Sequence, residues 1–117
     1  MDAVIPQNDP TSGCAFNPRL GYGNRIPFDW TDVSADAGVA GYDIVVQGAT
    51  AIIPIVNTRA PSSDYLHRDC NGFVVDRLSQ GWMWRVRAVD RTGQVGEWAE
   101  GRYNYGPCRV DGRLCGS

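Results

Sequence analysis

Apolar and polar residues alternate with a period of two along much of this chain, and glycine and proline cut the pattern into short pieces. In residues 25–30, Ile26, Phe28 and Trp30 share one face, and Arg25, Pro27 and Asp29 share the other. Pro27 has no N–H to give a central strand, so it is expected at a strand start or a bulge. Residues 41–47 put Tyr42, Ile44 and Val46 together. Residues 49–56, ATAIIPIV, are apolar almost throughout and carry Pro54, which fits an edge strand. Residues 57–71 read as a loop, and 72–78 as a short strand with Phe73 and Val75 on one side. The strongest alternation is in 81–90, where Trp82, Trp84, Val86 and Ala88 oppose Met83, Arg85 and Arg87. Arg91, Thr92 and Gly93 make a tight turn with glycine available for positive φ. The last strand is expected over 97–105, with Ala99, Gly101, Tyr103 and Tyr105 on one side and Trp98, Glu100 and Arg102 on the other. No long helical pattern interrupts these segments. The predicted fold is all-β, a sandwich of two antiparallel sheets with about seven strands.

A length of 117 residues fits one domain, and 43% hydrophobic with 21% charged residues is a globular balance. Residues 1–12 read as a leader or linker, weakly ordered unless paired on a sheet edge. The net charge of -2 favours neither nucleic acid nor an anionic membrane, and no apolar run reaches the ~20 residues of a membrane helix. No lysine occurs: all 11 basic residues are arginines, which stack on aromatic faces and fork onto carboxylates. A single histidine, His67, limits any Ser-His-Asp or Cys-His site to that residue. The 4 cysteines, Cys14, Cys70, Cys108 and Cys115, contain no C-x-x-C and permit three pairings. An even cysteine count in a small β-rich chain points to disulfides and an oxidising compartment, with four buried thiols in a cytosolic protein as the alternative. Met1-Asp2 begins neither a basic nor an apolar leader, so the expectation is that a signal peptide has been trimmed and Met1 added for expression.

The ordered series IPFDW, GYDIVV and FVVDRL-x-x-GWMWRVRAVD-x-x-G-x-x-GEW resembles the fibronectin type III family, in the form seen in bacterial secreted and surface proteins. The resemblance covers residues 13–107. It implies an immunoglobulin-like sandwich with sheets A-B-E and C′-C-F-G. It also implies that Trp30 is the core tryptophan of strand B, Tyr42 the tyrosine of strand C, and Leu78 the plug of the E–F corner. Val86 and Ala88 are the inward residues of strand F. Trp82 stands where members usually carry a tyrosine, so its indole N–H needs another partner. Cysteines are a second departure. The implied topology pairs Cys14 with Cys70 and Cys108 with Cys115, which makes residues 108–117 a disulfide-closed tail. The first bridge, if strand A is displaced, must span strand B.

Candidate surfaces follow from parity. Arg85, Arg87 and Trp98 project outward from neighbouring strands, where an indole over a guanidinium is worth roughly 0.5–1 kcal/mol. Asp43 is placed to pair with one of these arginines. In the 49–56 edge, Ile52, Ile53, Ile55 and Val56 cannot all be buried, leaving a strip for partner docking unless the following loop covers it. Asp29, Asp32 and Asp36 cluster at a turn that lacks the spacing of a calcium loop. His67 is expected at the surface of a polar loop. Asp111-Gly112-Arg113 lies within the tail. Tyr22, Trp82, Tyr103 and Tyr105 could stack on sugars, but inward parity favours core packing for most of them. The expected function is therefore non-catalytic: a secreted or cell-surface module for spacing, presentation or protein–protein contact, without cofactor, metal, nucleic acid or membrane insertion. Its partners are neighbouring domains or another protein. The alternative is a carbohydrate-binding accessory module of a polysaccharide-degrading enzyme, with a glycan as partner.

Overall fold

The computed structural model describes residues 1–11, 13–18, 21–47, 56–69, 82–104, 109–110 and 113–114. Among these the fold is all-β. The strands are β1 (Gly13–Asn17), β2 (Gly21–Asp29), β3 (Val39–Gln47), β4 (Val56–Ala60), β5 (Asp64–Asp69), β6 (Trp82–Asp90), β7 (Ala99–Tyr103), β8 (Arg109–Val110) and β9 (Arg113–Leu114). The first seven form two antiparallel sheets, β1-β2-β5 and β4-β3-β6-β7, and β8 and β9 pair with each other.

Period-two alternation makes the sandwich, because it gives each sheet one dry face. Ile26, Phe28 and Trp30 come from β2 and the residue after it. Tyr42, Ile44 and Val46 come from β3, Trp84, Val86 and Ala88 from β6, and Tyr103 from β7. All ten are buried and form one cluster with Val4 and Ala60. Rings join the sheets: Phe28 lies 4.9 Å from Trp84 and 5.4 Å, edge-on, from Tyr103, while Trp30 lies 5.5 Å from Tyr42 and 6.0 Å from Trp84. Such aromatic pairs add roughly 0.5–1.5 kcal/mol each beyond the area they bury. The buried indole N–H of Trp30 has no acceptor among the described residues, which costs about 1–3 kcal/mol and is offset by this packing.

Gly101 gives the Trp84 indole its place. It sits directly opposite Trp84 in the β6–β7 register, and a Cβ there would stand 2.5 Å from Nε1 and 2.7 Å from Cε2. Without that side chain the indole lies across β7 and donates from Nε1 to the Arg102 carbonyl at 3.3 Å.

Pro27 is neither at a strand start nor at a bulge. It lies inside β2, paired with Leu66 in an unbroken register. Its tolerance is local. The Pro27 carbonyl accepts from Asn8 Nδ2 at 2.7 Å, so the side of the strand that lacks an N–H faces the N-terminal segment and not β5. β1 has ended by this point, at the Gly13–Arg25 pair. Asn8 Oδ1 accepts from the Asp29 N–H at 3.0 Å, and the Gln7 N–H donates to the Asp29 carbonyl at 2.9 Å. The Asn8 amide thus replaces a strand where proline cannot support one.

The rest of the N-terminal segment continues along this edge. Pro6 bridges to Trp30, the Thr31 N–H donates to the Ile5 carbonyl, and Val4 is buried. At its far end the Asn104 N–H donates to the Pro10 carbonyl, beyond β7. Residues 1–11 therefore contact both sheets.

Two further differences from the sequence reading concern 57–71, expected as a loop. β4 and β5 both fall there, because cross-strand pairing with β3 and β2 overrides the polar composition of these residues. The last strand is also shorter than 97–105, spanning Ala99–Tyr103. The expected strand over 72–78 and its Leu78 lie outside the described residues.

The β6–β7 connection is held by Asp90, a buried carboxylate at the end of β6. Its Oδ1 accepts from the Thr92 hydroxyl at 2.7 Å and from the Thr92 and Gln94 N–H groups at 2.9 Å each. Gly93 takes the expected positive φ, at 90°. The Thr92 hydroxyl bond is the largest influence holding the Asp90 carboxyl below its usual range; burial opposes it, and the Gln94, Thr92 and Gly93 N–H groups assist.

Two outcomes follow. Gly101→Ala forces the indole to move and should cost about 1–3 kcal/mol, read as a lower urea midpoint with an unchanged slope. A carboxyl with a lowered folded pKa contributes stability that is full above its unfolded value, about 3.8. That contribution is lost as pH falls through the folded value. Asp90→Asn should therefore flatten the decline of the urea midpoint with pH below about 4; an unchanged acid profile would remove Asp90 from this role.

Candidate functional site: an arginine–tryptophan face

The outer face of β4-β3-β6-β7 gathers the outward-parity residues. Asp43 on β3 stands between Arg59 on β4 and Arg87 on β6, its register partners on either side. Arg59 Nε donates to Asp43 Oδ1 at 2.6 Å, and Arg87 Nε donates to Asp43 Oδ2 at 3.1 Å. Trp98, just before β7, lies beside the next strand along. The Arg87 guanidinium carbon is 4.3 Å from its ring centroid and that of Arg85 is 5.2 Å away. The result is a chain of contacts running across all four strands.

Exposure sets the energetic scale. The side chains of Arg59, Asp43 and Arg87 are 51%, 21% and 29% exposed. Ion pairs this wet are worth about 0–1 kcal/mol each. The cation–π contacts add a similar amount. The array therefore stiffens the face more than it holds the fold. Beneath it Val45 is buried although it points to this side, flanked in register by Asn57 and Arg85. Arginine stems cover apolar surface in this way while their heads stay near water. A shallow groove runs beside the array, lined by Asp43, Asn57, Thr58, Arg87 and Trp98. It offers an indole edge and guanidinium N–H donors, a set suited to binding and not to proton transfer.

Arg85, Arg87, Trp98 and Asp43 are thus brought together as their parity indicates. Arg59 was missed, because it lies in the segment read as loop. Val56 opens β4 opposite Val46, whereas Ile52, Ile53 and Ile55 lie outside the described residues. Cys14 is on β1 opposite Asn24; Cys70, Cys108 and Cys115 lie outside the described residues.

The other candidates separate. His67 is not in a loop: it sits half-buried on β5, its ring 6.1 Å from that of Tyr65, in the sheet away from the arginine array. Asp32 accepts from the Tyr42 hydroxyl at 3.0 Å, and that oxygen accepts from the Val33 N–H at 3.3 Å. Burial is the main cause that pushes the Tyr42 phenol above its ordinary pKa; the Val33 N–H opposes this and Asp32 adds to it. Asp29 is on β2 opposite Asp64, and Asp36 is exposed in a turn. Among the described residues no three His, Cys, Asp or Glu side chains gather around a metal-sized space. Tyr103 is core, while the side chains of Tyr22, Trp82 and Tyr105 lie outside the description.

No known protein family matches the sequence, and no curated protein matches it.

The array makes a quantitative expectation. A double-mutant cycle over Arg87→Ala and Trp98→Ala, read by urea unfolding, should give a coupling of about 0.5–1 kcal/mol. Additive effects would mean that the stacked geometry carries no energy.

Proposed function

We propose that the chain is a non-catalytic module of fibronectin type III kind, placed outside the cell, whose work is spacing, presentation or contact with another protein. The observation that carries this reading is the Arg59–Asp43–Arg87–Trp98 array, a rigid, chemically distinctive face on one side of a β-sandwich. The strand orders β1-β2-β5 and β4-β3-β6-β7 support the family assignment, since the resemblance implies the same arrangement with β5 in the place of strand E. The burial of Trp30, Tyr42, Val86 and Ala88 supports it further.

The disulfide bond at Cys14 supports the extracellular address. Positions 14, 24 and 69 share one rung of the three-stranded sheet, and Cys70 is the next residue in sequence after Asp69. A Cys14–Cys70 bridge must still step over β2, across two strand spacings of about 4.8 Å each. A Cys108–Cys115 bridge is supported by the β8–β9 register, which pairs Arg109 with Leu114, the residues next to those cysteines in sequence.

Two measurements test the reading. Thiol titration in denaturant should find no free thiol, and four free thiols would remove both the bridges and the extracellular address. Affinity electrophoresis through gels containing soluble xylan, mannan or hydroxyethylcellulose should leave mobility unchanged. Retardation that Trp98→Ala abolishes would replace protein contact with glycan binding.

A further inference from the structure

The outer face of the three-stranded sheet carries a charge pattern along its strands. Along this face β2 presents Asp29, Pro27 and Arg25, and β5 presents Asp64 beside Asp29 and Leu66 beside Pro27. Asp29, Asp64, Arg25 and Pro27 are exposed and Leu66 is half-buried. One end of the face is thus acidic, the middle apolar, and the other end bears Arg25. The separation between Asp29 and Arg25, four residues of strand, is about 13 Å.

Like charges directly opposite each other weaken a sheet. Here two carboxylates occupy one rung, and neither has a cation partner among the described residues. Arg25 likewise has no ion pair among them. The Ser62 hydroxyl donates to Asp64 at 2.6 Å, which orients that carboxylate without neutralising it. A shallow depression lies over these rungs, lined by residues that include Asn8, Arg25, Pro27, Asp64 and Leu66.

We propose that this face docks a second copy of the chain. The two copies are related by a two-fold axis that lies in the interface and crosses the strands at the Pro27–Leu66 rung. That rotation reverses strand direction from one copy to the next. It lays Asp29 of each copy over Arg25 of the other, and it stacks the apolar middle rungs on each other. The interface is isologous, so each ion pair occurs twice. No other single occupant matches the pattern as directly, because the face is its own complement. The contact uses the sheet opposite the arginine–tryptophan face, so it stands independently of the function proposed above.

Sedimentation velocity on the whole chain tests this at low ionic strength and in about 0.5 M salt, where the screening length falls to a few Å. The expected result is a dimer at low salt that dissociates at high salt. Arg25→Glu and Asp29→Arg each place like charges across the axis and should each weaken the dimer at least about tenfold. Both are exposed positions, where substitutions rarely change stability by more than about 0.5 kcal/mol. An equimolar mixture of the two variants should recover the dimer, since Glu at 25 in one copy then meets Arg at 29 in the other. A wild type that stays monomeric at low salt, a dimer that survives either variant, or a mixture that stays monomeric would each overturn the proposal.

Discussion

The sandwich depends on one steric arrangement, an indole laid flat over a residue with no side chain. Trp84 can reach across its neighbouring strand because Gly101 leaves that strand bare. From there it touches Phe28 and Trp30 in the facing sheet. The two sheets are therefore registered to each other through large rings, whose positions are more restricted than those of aliphatic side chains. Tyr42 and Tyr103 complete the same layer from the sides. The outer-face array inherits its geometry from this, since Arg85 and Arg87 alternate with Trp84 and Val86 on a single strand.

Much of the core could be read directly. Strict alternation in β2, β3 and β6 names Ile26, Phe28, Trp30, Tyr42, Ile44, Val46, Trp84, Val86 and Ala88 as inward, and all are buried. The same parity brings Arg85, Arg87 and Trp98 together. Arg59 was illegible because β4 and β5 are polar segments whose strand character comes from their partners and not from their own pattern. Val45 was misleading for a related reason: its parity is outward, and its burial depends on long neighbours covering it. The hairpin of β8 and β9 did carry a signal. Asp111-Gly112 falls between its two strands in sequence, and Asp-Gly is among the strongest two-residue turn sequences.

Pro27 shows how a local rule is broken and repaired. A strand interior excludes proline because a ladder bond is lost. At this position the lost bond faces a side chain, Asn8, which needs only the carbonyl and the next outward N–H. The same substitution of an amide side chain for a strand also limits further growth of the sheet on that side, since the groups are already satisfied. Composition alone marks residues 1–12 as a leader, and what ties them down is long-range: Asn8 to β2, Ile5 to Thr31, and Pro10 to Asn104.

That lacing bears on how anything joined ahead of Met1 would be mounted. A segment that stitches one sheet to the end of the other cannot swing like a string. Its first residues run close to Gly96, near the turn between β6 and β7. A body fused there would inherit a heading from the sandwich, and a pull on it would be felt first at the Ile5–Thr31 hydrogen bonds, next to buried Val4.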